Sequence, residues 1–517
     1  MPARLAAAVL VLVAVGALAL RLPQLDRRYV HTDEAVHAYK FNELLTTGRY
    51  VYDPHEYHGP TIYYFALPAA WLSGAHDWRD TSMAMFRLVP VLFGVGLVLL
   101  LLLVGDGLGR GAAVLAGVLT AVSPAMAFYS RYYIQETLLV FFTMLVLAAG
   151  WRYVRSGRAG WLLLAGAGLG FMQATKETCV IAWGALAAAL VVTVFCRPRG
   201  TMAVPRRPSL ALLIATLLAA VAVSATLLSG FFTNPRGPLD AWRTFATYFS
   251  RAGGSQHIHP WNYYLSLLAY TRYAPAPAWS EGLILLLALI GAVAAWCRRA
   301  TSRLPLFIAV YTVLLTAAYA VIPYKTPWCL LGFLHGMILL AGFGAATLIR
   351  LAGAGFARLA VVLVLLTVGI AHLGVQTVRA DGRFTNDPRN PYVYAHPVSD
   401  VLKLTGYIDR LARTQPADQP LVIHVIVPNC WPLPWYLRHH EHVGYWEDVP
   451  AGVGTGAGVV IASSRFADQL DPLLGDTCDV PRYYGLRRDE TLVVYVRRDV
   501  YAAFVVAETA AASRPSD

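Results

Sequence analysis

Charged side chains are scarce in this chain, at 14 % of 517 residues, and the acids are scarcer than the bases, 30 against 42. Soluble domains carry charge on about a quarter of their residues, so an ordinary soluble globule is excluded. Cysteine is sparse too, with six residues and no CxxC spacing. That excludes a disulfide-dense scaffold and argues against a structural zinc site. Cys179, Cys196, Cys297 and Cys329 lie in or beside apolar runs and read as small hydrophobes. Cys430 and Cys478 lie in a more polar region, where a disulfide in an oxidising compartment stays open. A nucleotide loop is also missing. The glycines of Gly166-Ala167-Gly168-Leu169-Gly170 fall inside an apolar run, where small residues let helices approach. Gly452 to Gly458 precedes a strand-like run, whereas the phosphate fingerprint should follow one.

Long apolar runs are abundant. Runs of roughly 17–22 residues match the hydrocarbon thickness of a bilayer. They predict spans near 4–22, 84–104, 111–128, 136–154, 160–174, 178–196, 209–230, 281–297, 305–323, 329–349 and 358–377. The fold class is therefore an α-helical polytopic membrane protein of about eleven transmembrane helices. Alternate short loops carry arginine: 152, 155 and 158; 197, 199, 206 and 207; 298, 299 and 303; 350 and 358. The positive-inside rule puts these in the cytoplasm with the N-terminus. The first loop, the 231–280 loop and the C-terminal part then lie outside. The net charge of +12 is largely accounted for by the inner loops and needs no nucleic-acid partner. The first apolar run reads as a retained anchor rather than a cleaved signal.

Polar chemistry is concentrated in a few outer stretches. The first runs from His31 to Tyr64. Thr32 can cap a helix whose first turn holds Asp33 and Glu34 and which ends at Gly48. His37 lies four residues from Asp33 on one helical face. Acids suit a helix N-terminus in any case, but that does not explain acids, histidines and tyrosines gathered at a membrane surface. His55 and His58 are open as metal ligands, with local hydrogen bonding the commoner role of such histidines. The second stretch is Tyr129-Ser130-Arg131-Tyr132-Tyr133-Ile134-Gln135-Glu136. Arg131 on the outer side opposes the positive-inside bias. It reads either as a local ion pair with Glu136 or as a forked donor to phosphate. Lys176 and Lys325 occupy two further outer turns. Lysines snorkel to any interface, yet three outer cations beside an acid pair suit an anionic lipid headgroup. The 231–280 loop is rich in aromatics and should fold as amphipathic segments on the outer leaflet. From about Arg379, strand-like LVIHVIV, GVVIAS and TLVVYV alternate with helical patterns, which predicts a small α/β domain over 379–517. The rest, 1–378, forms the membrane domain with outer loops 23–83 and 231–280.

Together the segments HTDEAVHAYKF, YSRYYIQE, TKE, YKTPW, NPYVYAHP and WPLPWYLR resemble the GT-C membrane glycosyltransferases. The resemblance is to protein O-mannosyltransferases and lipid A aminoarabinose transferases, and to a prokaryotic flippase-associated branch of glycosylation proteins. It implies an inverting transfer of sugar from a polyprenyl-phosphate donor, at the outer face of the cell membrane, to a glycan, lipid or protein acceptor. It implies Asp33 as the base, Glu34 beside it holding the acceptor, and Arg131, Lys176 and Lys325 on the donor phosphate. His37, His58, Glu136 and Tyr132 support them. No cofactor is required by this chemistry, and a divalent metal stays open. The alternative is a non-catalytic, flippase-associated protein that recognises lipid-linked glycans.

Overall fold

The computed structural model describes residues 1–54, 58–196, 207–252, 257–275 and 277–512. His55 and most of the basic 197–207 loop lie outside them. Two units make up the chain.

The first unit comprises Met1–Arg27, Glu43–Gly74 and Ser82–Tyr394. Among its described residues seven helices are long and apolar enough to cross a membrane: Ala3–Arg21, Met83–Leu103, Glu136–Ser156, Leu210–Leu228, Arg303–Val321, Pro327–Leu351 and Phe356–Asp381. Four shorter apolar helices, Arg110–Val122, Ala159–Gln173, Cys179–Phe195 and Gly282–Cys297, lie over the other four expected spans. The helix expected over 111–128 stops at Val122. Pro124 has no N–H to continue it, and Ser123 instead caps a new short helix, Pro124–Tyr129, by accepting from the Met126 N–H at 3.3 Å. This break turns the chain toward Arg131.

Burial sorts the helices. Leu331–Leu351 is mostly buried, whereas Leu210–Leu228 buries only Ser224 and Leu228 and leaves Leu210, Leu217, Leu218 and Val221 exposed, as a helix with one lipid-facing side does. Small residues set the spacing. A Cβ on Gly166 would stand 2.2 Å from Thr216 O, and one on Gly170 2.4 Å from Ala220 O. Those glycines therefore serve helix contact, not phosphate.

The second unit comprises Arg28–Asn42, Ala75–Thr81 and Ala395–Asp517. Its described residues form one five-stranded sheet, order β2-β1-β3-β5-β4, from β1 Ile423–Ile426, β2 Val443–Trp446, β3 Val459–Ser463, β4 Arg482–Arg487 and β5 Glu490–Val496. β1, β2 and β3 run parallel, while β5 is antiparallel to β3 and to β4. Side chains alternate across the sheet. Val459, Ile461 and Val494 enter one apolar cluster, and Val460, Ala462 and Val493 the other. Both faces are covered, which is why these central strands read as continuous apolar runs. Cys430 and Cys478 remain separate thiols.

Candidate functional site

The acid pair opens the Thr32–Thr47 helix, which ends at Gly48 in the left-handed region, φ +67°. The N-cap falls one residue earlier than Thr32. His31 O accepts the first helical bond, from Ala35 N, at 3.0 Å. His31 Nδ1 accepts from the Asp33 N–H at 3.0 Å, and Glu34 Oε2 reaches back to accept from the His31 N–H at 3.3 Å. This is a reciprocal capping box in which histidine replaces the usual hydroxyl. Thr32 Oγ1 turns instead toward Trp431 O, 3.5 Å away. The His31 ring lies 5.1 Å from that of His396, so Trp431 and His396 both back the helix start. Glu34 is fully buried, while Asp33 keeps 38 % of its side chain exposed. His37 is buried on the same helix. Of the two acids, Asp33 is the one open to a reactant.

The three cations of the first unit have different surroundings. Arg131 is buried, with Nη1 3.2 Å from Asp381 Oδ1 and Nη2 donating to Pro23 O at 2.5 Å. Beside it Arg21 donates to Ser130 Oγ at 2.8 Å and to the carbonyls of Ala121 and Thr120 at 3.0 and 3.1 Å. The Ser130-Arg131 pair thus gathers three helix ends, and the local Arg131–Glu136 ion pair is not formed. Glu136 pairs with Lys176 instead, both side chains being at least nine-tenths buried. The next residue, Glu177, binds His58 Nδ1 at 2.8 Å and accepts from the Tyr52 hydroxyl at 2.9 Å. Burial pushes the Glu177 carboxyl up, but His58 and these hydrogen bonds outweigh it and hold the carboxyl below the ordinary value.

Lys325 is only 1 % exposed. Its Nζ donates to the Ile322 carbonyl, and no carboxylate pairs with it among the described residues. Burial accordingly lowers its affinity for a proton. Tyr132 is buried, with its ring 6.0 Å from Trp328. A narrow cavity of about 30 Å³ opens beside Glu136, Thr178, Tyr319, Trp328 and Cys329. A second, of about 10 Å³, continues it along the shared lining of Val140, Thr143, Tyr311 and Gly332 toward His335. Among the described residues no group of three His, Cys, Asp or Glu side chains could hold a metal ion.

Several participants were not marked by sequence reasoning. Asp381 gave no signal beyond being an acid at a helix end, and Glu177 was readable only as the last residue of TKE. His31 and His396 were readable only as members of motifs. Glu281 accepts from Ser123 Oγ at 2.5 Å, the Ala125 N–H at 2.9 Å and the Tyr392 hydroxyl at 2.7 Å, and pins the NPYVY segment to the Pro124–Tyr129 helix.

The chain is similar to several known proteins. A family model described as dolichyl-phosphate-mannose-protein mannosyltransferase matches residues 58–228. ArnT from Cupriavidus metallidurans, solved bound to undecaprenyl phosphate, is similar with a TM-score of 0.60 at 17 % identity, over 95 % of this chain and 98 % of that one. The Archaeoglobus fulgidus oligosaccharyltransferase, solved tethered to an acceptor peptide, is similar with a TM-score of 0.56 at 11 % identity, over 96 % of this chain and 76 % of that one. No curated protein sequence matches significantly. The chain is a multi-pass membrane protein whose fold is that of ArnT and the oligosaccharyltransferase.

Proposed function

We propose that this GT-C-fold membrane protein is an inverting glycosyltransferase that moves a sugar from a polyprenyl-phosphate donor to an acceptor hydroxyl at the outer membrane face. The observation that carries the reading is Lys325, a buried ammonium without a carboxylate partner among the described residues. Buried charges are ordinarily paired, so such a group suits an incoming anion. The nearly end-to-end likeness to ArnT, whose structure holds undecaprenyl phosphate, supports a lipid phosphate as that anion.

Asp33 takes the acceptor proton as the hydroxyl oxygen bonds to the anomeric carbon. The bond from that carbon to the phosphate oxygen breaks, its electron pair leaves with the polyprenyl phosphate, and configuration inverts. The phosphate gains one negative charge in this step, and Lys325 stabilises it. Arg131 and Lys176, each held by a carboxylate, frame the donor region. Glu136 orients Lys176, Tyr132 packs against Trp328, and His58 is held by Glu177. Glu34 fixes the helix start that carries Asp33, with His37 packed on the same helix. The N-terminus is cytoplasmic and the C-terminal domain extracytoplasmic, following the arginine distribution.

The test uses purified protein in nanodiscs with labelled polyprenyl-phosphate hexose, and follows release of free polyprenyl phosphate. Asp33→Asn should lower release about 100-fold or more, the contribution of a positioned base, and leave donor binding intact. Lys325→Met should weaken donor binding. Undiminished release by Asp33→Asn would remove the catalytic reading in favour of a protein that only recognises lipid-linked glycans.

A further inference from the structure

The surroundings of Lys325 contain a second polar group that the proposed chemistry has not used. Ile258 and Tyr324 form an antiparallel bridge. His259 N donates to Pro323 O at 3.1 Å, and Lys325 N donates to His257 O at 2.9 Å. This pairing brings His257, His259 and Lys325 together. Tyr394 joins them: its hydroxyl lies 2.5 Å from His257 Nδ1, and its ring is 6.3 Å from that of His259 and 5.9 Å from Trp328. The Tyr263 ring stacks on His259 at 4.1 Å.

The balance of charge here is one-sided. Three side chains that can carry positive charge stand together, and among the described residues no acid lies within ion-pair distance of any of them. His257 is occupied by Tyr394. His259 Nε2 is buried with no hydrogen-bond partner. A buried ring nitrogen without a partner is costly unless something arrives to use it. Burial first, then His257 and Lys325, hold the His259 imidazole below the ordinary histidine value. Tyr263 and Tyr394 are pushed up by burial, so both phenols stay neutral across the histidine range. An anion set between Lys325 and His259 reverses the balance, because it favours the imidazolium, and the Tyr263 face stabilises that cation further.

We propose that Lys325 and His259 form one phosphodiester-binding subsite in which the anion and a proton on His259 bind together. The occupant is the singly charged phosphodiester of the lipid-linked sugar donor, so the inference rests on the function proposed above and adds a phosphate contact to it. Tyr263, stacked on His259, holds the ring in place; Tyr394 does the same for His257.

Calorimetry tests this with polyprenyl-phosphate hexose and the detergent-purified full chain. A phosphodiester keeps its single charge across the histidine range, so any proton uptake belongs to the protein. Titration in two buffers of different ionisation enthalpy counts the protons. The native protein should take up a proton on binding above the His259 pKa, and Kd should fall by up to about tenfold per unit of pH lowered there. His259→Gln should bind without uptake and with a flat pH profile. Lys325→Met should weaken binding at every pH while leaving the uptake in place. Binding by the native protein without uptake overturns the inference and needs no variant to do so. Uptake unchanged in His259→Gln overturns it as well. Phosphatidylglycerol has the same charge without the sugar, and equal affinity for it would overturn the donor as occupant. None of these outcomes depends on Asp33, so release of polyprenyl phosphate can stand or fall separately.

Discussion

Breaking the Glu136–Lys176 pair tests how the charges buried in the first unit are balanced. The two side chains are 7 % and 8 % exposed, so bulk water screens the pair little. Removing one partner leaves the other charge buried and uncompensated, at a cost of about 3–5 kcal/mol. Replacing both with apolar groups of similar size removes that penalty and is often close to neutral. We therefore expect Glu136→Leu and Lys176→Met each to lower unfolding free energy by about 3 kcal/mol or more. The double variant should lose far less than their sum, with a coupling energy of at least about 2 kcal/mol. Denaturant unfolding in mixed micelles, followed by circular dichroism, measures all four corners of the cycle. Additive losses, or single variants as stable as the native protein, would refute the reasoning. Donor binding in the double variant adds a second readout. If Lys176 serves mainly as Glu136's partner, binding survives in the double variant while Lys325→Met loses it.

Arg131→Lys should destabilise the first unit, since one ammonium cannot span Asp381 and the Pro23 carbonyl as the guanidinium does; an unchanged melting temperature would contradict this. Gly166→Leu should lower stability by about 1–3 kcal/mol through overpacking, because even a Cβ meets Thr216 O at 2.2 Å; a thermal melt reads it. His31→Ala should cost about 1 kcal/mol, the value of a cap, and hydrogen exchange at the Asp33 amide should speed up. The lowered Glu177 carboxyl contributes stability that is fully present above the ordinary glutamate pKa, about 4.3, and is lost as pH falls through its depressed value. Glu177→Gln should therefore melt below the native protein at neutral pH, and the gap should close on acidification.

The fold was legible wherever burial is uniform along an element. Membrane helices such as Leu210–Leu228 and Leu331–Leu351 are written in runs of apolar residues, because lipid and helix core both demand them. β3 and β5 were legible for the same reason, being covered on both faces. β2 and β4 were not. They lie at the sheet edges, and residues such as Tyr445 and Tyr483 stay exposed, so no apolar run marks them. The helix carrying Asp33 and Glu34 was also readable, but its cap was placed on Thr32 because histidine is an uncommon capping residue.

Local sequence determined which residues could act: acids at a helix start, and arginine and lysines in turns between apolar runs. Only the tertiary structure decided which of those charges are already matched. Asp381 lies 250 residues from Arg131, and Lys176 lies 40 from Glu136, so no periodicity links either pair. Lys325 and His259 meet through backbone pairing of two separate loops. Whether a buried charge is neutralised depends on what the folded chain brings within a few ångströms, and Coulomb energy at that range is set by three-dimensional distance and local dielectric, not by position along the chain.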